Sequence, residues 1–188
     1  MDTQAHPERA DSEFQPGANV IYAMHGKCRV LQTETRSMNG ETIRFYKLEI
    51  SRSSFSRSNR TEPAIWVPVA NARDLGMRAP MTHEEAETAM KLLLSREYFF
   101  DPHDPWSLVQ PQLEHSIRVE GGLGLAKVAS FLHVLKKKQI VPTPEVTKLQ
   151  ESTQKLLFRE LSEALNVQIR TIEERVTKGF KSKLIPDN

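Results

Sequence analysis

The sequence predicts an α+β protein, an antiparallel sheet followed by a bundle of helices, and three observations carry that expectation. Short runs of β-branched and aromatic residues, cut by turn-forming pairs, fill the stretch from Phe14 to Val69. After Pro80 the apolar residues recur at the helical spacing of about 3.6 residues. The chain has 188 residues, 38% of them hydrophobic, which suffices for two small cores.

The elements follow in order. Residues 1–13 are polar, contain Pro7 and show no period, so they read as a disordered extension. Val20-Ile21-Tyr22, Cys28 to Leu31, Ile43 to Ile50 and Ile65 to Val69 read as strands, punctuated by Pro16-Gly17, His25-Gly26 and Asn39-Gly40. Asn-Gly suits a tight hairpin because both residues tolerate positive φ. Ser51 to Pro63 turns to Ser, Arg, Asn and Thr and reads as a long exposed loop. The boundary between sheet and helices falls near residue 80. Thr82 with Glu85 forms a capping box, ahead of Ala86, Met90, Leu93 and Leu94 on one helical face. Asp104-Pro105 reads as an N-cap followed by a first-turn proline, and Pro111 is expected to bend or delay that second helix. Gly121, Gly122 and Gly124 are expected to break the chain before a third helix with the face Leu125, Val128, Ala129, Leu132 and Leu135. Thr143-Pro144 opens a fourth helix, and Ile169, Ile172, Val176 and Phe180 stripe a fifth.

Several function classes lack support. No apolar run approaches the ~20 residues of a membrane span. Nothing near Met1 has the pattern of a secretory signal. A cytoplasmic location is expected, and Cys28, the single cysteine, suits a reducing compartment. There is no phosphate-cradling glycine loop, no G-x-S-x-G and no H-E-x-x-H, and the six histidines are scattered without ligand spacing. No catalytic residue, metal or cofactor is therefore expected. Lys27 and Arg29 flank Cys28 and could activate it, but a buried strand cysteine is the plainer reading. Net charge is only +2. The basic residues gather as Arg52, Arg57 and Arg60, as Lys136, Lys137 and Lys138, and as Lys178, Lys181 and Lys183. Each group could meet phosphates or simply be solvated.

Two tryptophans stand out. Trp66 precedes Val67-Pro68 in a strand, where packing is the default. Trp106 follows the proline-rich run from Phe99 to Pro105 at a helix start. It can anchor that loop against its own helix, or stand out as a wedge against a partner.

The order of motifs is more specific than any one of them. Phe14-Gln15-Pro16-Gly17 leads to Val20-Ile21-Tyr22-Ala23-Met24-His25-Gly26, then to Glu34-Thr35-Arg36-Ser37-Met38-Asn39-Gly40-Glu41. Phe45-Tyr46-Lys47-Leu48, Val67-Pro68-Val69 and Leu75-Gly76-Met77-Arg78 follow. The series continues through Trp106, Leu125-Ala126-Lys127-Val128 and Leu156-Leu157-Phe158-Arg159-Glu160-Leu161. It resembles the CarD family of bacterial transcription regulators over roughly residues 14–180. That family's first domain is a small SH3/Tudor-like barrel shared with the transcription-repair coupling factor.

The resemblance implies a polymerase-interacting domain over 14–80 and a helical, DNA-contacting domain over 81–188. The first would bind the RNA polymerase β subunit around Arg36, with Glu34, Asn39 and Trp66. The second would touch promoter DNA in the minor groove, largely without sequence preference, through Trp106 with Lys136, Lys137 and Lys138. The implied outcome is a stabilised open promoter complex, since an aromatic wedge offsets unstacking at a distorted base step. A monomer is expected, and Arg52, Arg57 and Arg60 form an auxiliary basic loop. The alternative is an adaptor that binds polymerase or another partner without touching DNA. Three departures from the family pattern stand out. Ser107 to Gln112 contains none of the arginines that follow the family's wedge tryptophan. Trp66 replaces a basic residue, and residues 51–63 exceed the usual hairpin.

Overall fold

The structure is a computed structural model. It describes residues 14–38, 40–51, 64–95, 97–137 and 144–182, with backbone alone at 136, 137, 181 and 182. Among the described residues five strands form one antiparallel sheet: β1 (Asn19–Tyr22), β2 (Gly26–Met38), β3 (Glu41–Ile50), β4 (Ile65–Pro68) and β5 (Met77–Arg78), in the order β4-β3-β2-β1-β5. Five helices follow among the described residues: α1 (His83–Ser95), α2 (Trp106–Glu120), α3 (Gly122–Lys137), α4 (Pro144–Ala164) and α5 (Ile169–Ser182). This is the α+β fold that the two periodicities predict.

Alternation along the strands builds the first core. Val20, Cys28, Val30, Tyr46, Leu48, Val67 and Met77 come from all five strands and meet with Ala72 in a single buried cluster. Tyr46 also secures the start of the described chain, where the Phe14 N–H donates to its hydroxyl at 3.1 Å. β2 and β3 pair over most of their length, and a register shift between Val30 and Gln32 leaves Leu31 exposed. Such a bulge resets which side chains face outward. Both strands run beyond the limits their apolar content suggests, because polar residues continue the alternation from Gln32 to Met38. β5 and a short helical turn at Val69–Asn71 were not foreseen as elements.

The helices enclose two further clusters. Met81, Ala86, Met90, Leu93, Leu125, Leu157, Leu161, Ile172 and Val176 belong to one, which draws on α1, α3, α4 and α5. Val109 and Leu113 of α2, Val128, Phe131 and Leu132 of α3 and Val146 of α4 form the other. The capping box of α1 is formed as expected: the Thr82 N–H donates to Glu85 Oε2 at 2.7 Å, and the Glu85 N–H to Thr82 Oγ1 at 3.2 Å. α3 buries its whole expected face.

Four expectations need correction. α2 begins at Trp106 with Pro105 as its cap residue and no side-chain cap bond, so Asp104 does not cap it. That helix passes through Pro111 without interruption; Pro111 is its sixth residue, on the exposed side, and gives up only the one ladder bond its missing N–H would make. The chain turns only at Gly121; Gly122 and Gly124 lie inside α3. They are small because Met81 and the Ser116 carbonyl occupy the space a Cβ would need. Ile169 is 44% exposed at the start of α5, so the stripe that packs is Ile172, Val176 and Phe180.

Candidate functional site

The bulge at Leu31 sets the parity of the sheet's outer face. Beyond it Gln32, Glu34 and Arg36 alternate on that side, opposite Lys47, Phe45 and Ile43 of β3. Lys47 in turn faces Trp66, and Phe45 faces Pro68, across β4. The register therefore brings Arg36, Glu34 and Trp66, three of the residues expected to bind polymerase, into one exposed patch.

The contacts within the patch are specific. The guanidinium carbon of Arg36 lies 3.5 Å from the centre of the Trp66 ring, and Lys47 Nζ lies 5.5 Å from it. Arg36 Nε donates to Glu34 Oε1 at 3.0 Å, while Gln32 Nε2 donates to Glu34 Oε2 at 3.0 Å. The carboxylate is thus satisfied on both oxygens. It holds the guanidinium by Nε, and no hydrogen bond to either Nη group is formed among the described residues. A flat cation held over an indole, with its forked donors outward, suits a carboxylate or paired carbonyls on a partner. Arg36 and Glu34 are 41% and 39% exposed, so their own ion pair contributes ~1 kcal/mol or less to stability.

Asn39, Arg52, Arg57, Arg60 and Lys138 lie outside the described residues, and Lys136 and Lys137 are placed only as the last backbone positions of α3. They are not part of the geometry described for the patch. Gln32 and Lys47 belong to the patch and were missed. Gln32 was readable, lying two residues before Glu34 on the same strand; Lys47 needed the cross-strand register.

Trp106 sits apart, in the first turn of α2. Its ring is half-buried against the cluster of Val109, Leu113, Phe131 and Val146, beside Phe100. Phe100 itself meets Phe131 edge-on with ring centres 5.3 Å apart. The indole Nε1 is withdrawn from solvent and has no hydrogen-bond partner among the described residues. The loop that leads in is shaped by Asp101, whose Oδ1 accepts the His103 N–H at 2.8 Å. Leu108 stands 57% exposed one residue beyond Ser107. Between Glu97 and Ile117 the sequence contains no lysine or arginine.

Cys28 is fully buried in the sheet core, and burial raises its thiol from an ordinary value of 9.0 to about 11. The flanking Lys27 and Arg29 do not activate it. Among the described residues no group of His, Cys, Asp and Glu side chains could hold a metal ion, and no helix is long and apolar enough to cross a membrane.

Residues 14–79 match the family model of the CarD-like/TRCF RID domain, consistent with a CarD-like protein. The match covers the sheet and supports an RNA polymerase-interacting domain there; the helices lie outside it. No curated protein matches the chain.

Proposed function

We propose that this chain is a transcription regulator that docks on the RNA polymerase β subunit through the outer face of its sheet and presents its helices to the upstream edge of the melted promoter. The observation that carries the reading is the Arg36 patch, which lies within the matched domain. A guanidinium stacked on Trp66 and held at its inner edge by Glu34 loses little further freedom on docking, which favours a forked contact. The reading needs no catalytic residue or cofactor.

Arg36→Glu tests it. The substitution places a like charge beside Glu34 and against the expected partner carboxylate. Polymerase retained from a cell lysate by the parent chain should be lost, with the melting temperature nearly unchanged. A folded Arg36→Glu variant that still retains polymerase would overturn the reading.

On this reading Trp106 is the residue that reaches DNA, with the lysines at the end of α3 as accessory contacts. A second reading, an adaptor that holds polymerase without touching DNA, is favoured by the half-buried ring, the inward-facing Nε1 and the cation-free stretch around it. Open-complex lifetime with Trp106→Ala separates the two, because only a wedge shortens it while the fold is kept.

A further inference from the structure

Sheet and helices meet at a junction whose members lie far apart in sequence. Arg78, in β5, directs Nη1 to Glu160 Oε1 at 2.6 Å and Nη2 to Glu160 Oε2 at 2.7 Å, spanning 82 residues of chain to α4. Nη1 also donates to the Ala79 carbonyl at 3.1 Å. Glu160 Oε1 accepts the Met81 N–H at 3.0 Å. One carboxylate, only 6% exposed, thus ties the last strand and the connecting segment to α4.

The surroundings are cut to fit. Gly121 turns the chain between α2 and α3 at φ +61°, and a Cβ there would lie 2.6 Å from Arg78 Cδ. Gly26, at φ +75°, lets the β1–β2 turn rest on α4, where a Cβ would lie 2.8 Å from Leu156 Cδ2. At the rim Lys27 Nζ meets Glu163 Oε2 at 2.7 Å.

A buried ion pair adds little net stability, because desolvation offsets most of the attraction. What a two-pronged fork supplies is direction: it fixes both the distance and the rotation of the groups it joins. The covalent link between Arg78 and His83 is only the short segment Ala79-Pro80-Met81-Thr82. Its own conformation is held by the same carboxylate through the Met81 N–H.

We infer that Arg78 and Glu160 are positioning residues that set the angle between the polymerase-docking sheet and the helices, and with it where the helices act on the bound transcription complex. The inference rests on the docking reading above. It assigns a regulatory role to a junction that belongs to neither contact surface.

The test uses the full chain with spin labels at Met38→Cys and Thr177→Cys, both exposed positions; buried Cys28 stays unlabelled. Two variants loosen the junction without stranding a charge in the same way. Arg78→Met with Glu160→Met removes both charges, and Arg78→Lys keeps the charge but cannot fork. The parent should give one narrow distance distribution, and both variants a broader one, with helix and strand content unchanged by circular dichroism. In reconstituted transcription Arg78→Lys should still bind polymerase. Transcript yield should change by roughly 2- to 30-fold, the range for substitutions that alter coupling between sites. An unchanged distance distribution in both variants overturns the inference, and so does unchanged yield from a variant whose distribution has broadened. If Arg36→Glu also leaves polymerase binding intact, the docking reading fails, while the distances still report on the junction.

Discussion

Replacing Trp106 by alanine and by phenylalanine gives two different results if the indole is an anchor. Full burial makes a Trp-to-Ala change cost ~3–5 kcal/mol. This ring is half-buried against the α2–α3 cluster, so the cost should be nearer ~2 kcal/mol. The unpaired Nε1 matters as much. Leaving a buried donor without a partner costs ~1–3 kcal/mol. Phenylalanine removes that donor while keeping most of the ring, so the gain and the lost area should cancel to within ~1 kcal/mol. In a chain of this size ~1 kcal/mol moves the melting temperature by ~2–4 °C. Alanine loses the Nε1 donor too, so ~2 kcal/mol is its upper limit: Trp106→Ala should melt up to ~4–8 °C low and always below Trp106→Phe, which should lie close to the parent. Scanning calorimetry on the three proteins reads both shifts. An alanine variant that melts no lower than the phenylalanine variant, with both at the parent's temperature, would refute the anchor. A phenylalanine variant as damaged as alanine would show that the Nε1 hydrogen is in fact bonded.

Other substitutions probe the sheet. Trp66→Ala removes the surface under Arg36, an interaction worth ~0.5–1 kcal/mol at an exposed site, so polymerase affinity measured by interferometry should fall about two- to fivefold. Gly26→Ala forces both a left-handed alanine and a contact with Leu156, so it should destabilise the fold by ~1–3 kcal/mol in urea titration; a neutral result would remove the turn from the junction. Cys28 should resist iodoacetamide at pH 8 until the protein is unfolded. Its folded pKa of about 11 lies above the ordinary 9.0, so the folded state holds the proton more tightly. The resulting stability is complete below pH 9 and is lost as pH rises towards 11, a decline that Cys28→Ala should lack.

Local rules account for what was legible. Thr82 and Glu85 close the capping box because that contact spans three residues, and the α3 stripe packs because its period is written in one helix. Glu34 and Arg36 could be placed together because they are two residues apart on one strand. The Trp66 stack was not readable in the same way. It depends on β4 joining β3 in register, across a stretch of sequence that gives no register of its own. Asp104 looked like a cap, but the helix begins one residue later, and Asp101 shapes the loop instead. In the sequence Glu160 stands only within the Leu156-to-Leu161 run, with nothing to mark its partner. Only the approach of β5, itself two residues long, reveals its fork with Arg78.

The charge around Trp106 limits what a DNA contact there can be. Asp101 and Asp104 are exposed beside the α2 tip, and no lysine or arginine lies between Glu97 and Ile117. A contact that neutralises no phosphate releases no counterions, so it gains none of the electrostatic affinity that dominates ordinary DNA binding. On the DNA reading, the tip must therefore act as a tethered wedge. Polymerase docking through the Arg36 patch would supply the effective concentration, and the Arg78–Glu160 fork would supply the angle. Such a wedge has a distinctive salt response. The difference in open-complex lifetime between the parent and Trp106→Ala should stay nearly constant as salt is raised, even as the lifetimes themselves shorten. A difference that collapses with salt would mean that cations outside the tip, the α3-end lysines among them, carry the DNA contact and that the indole is only packing.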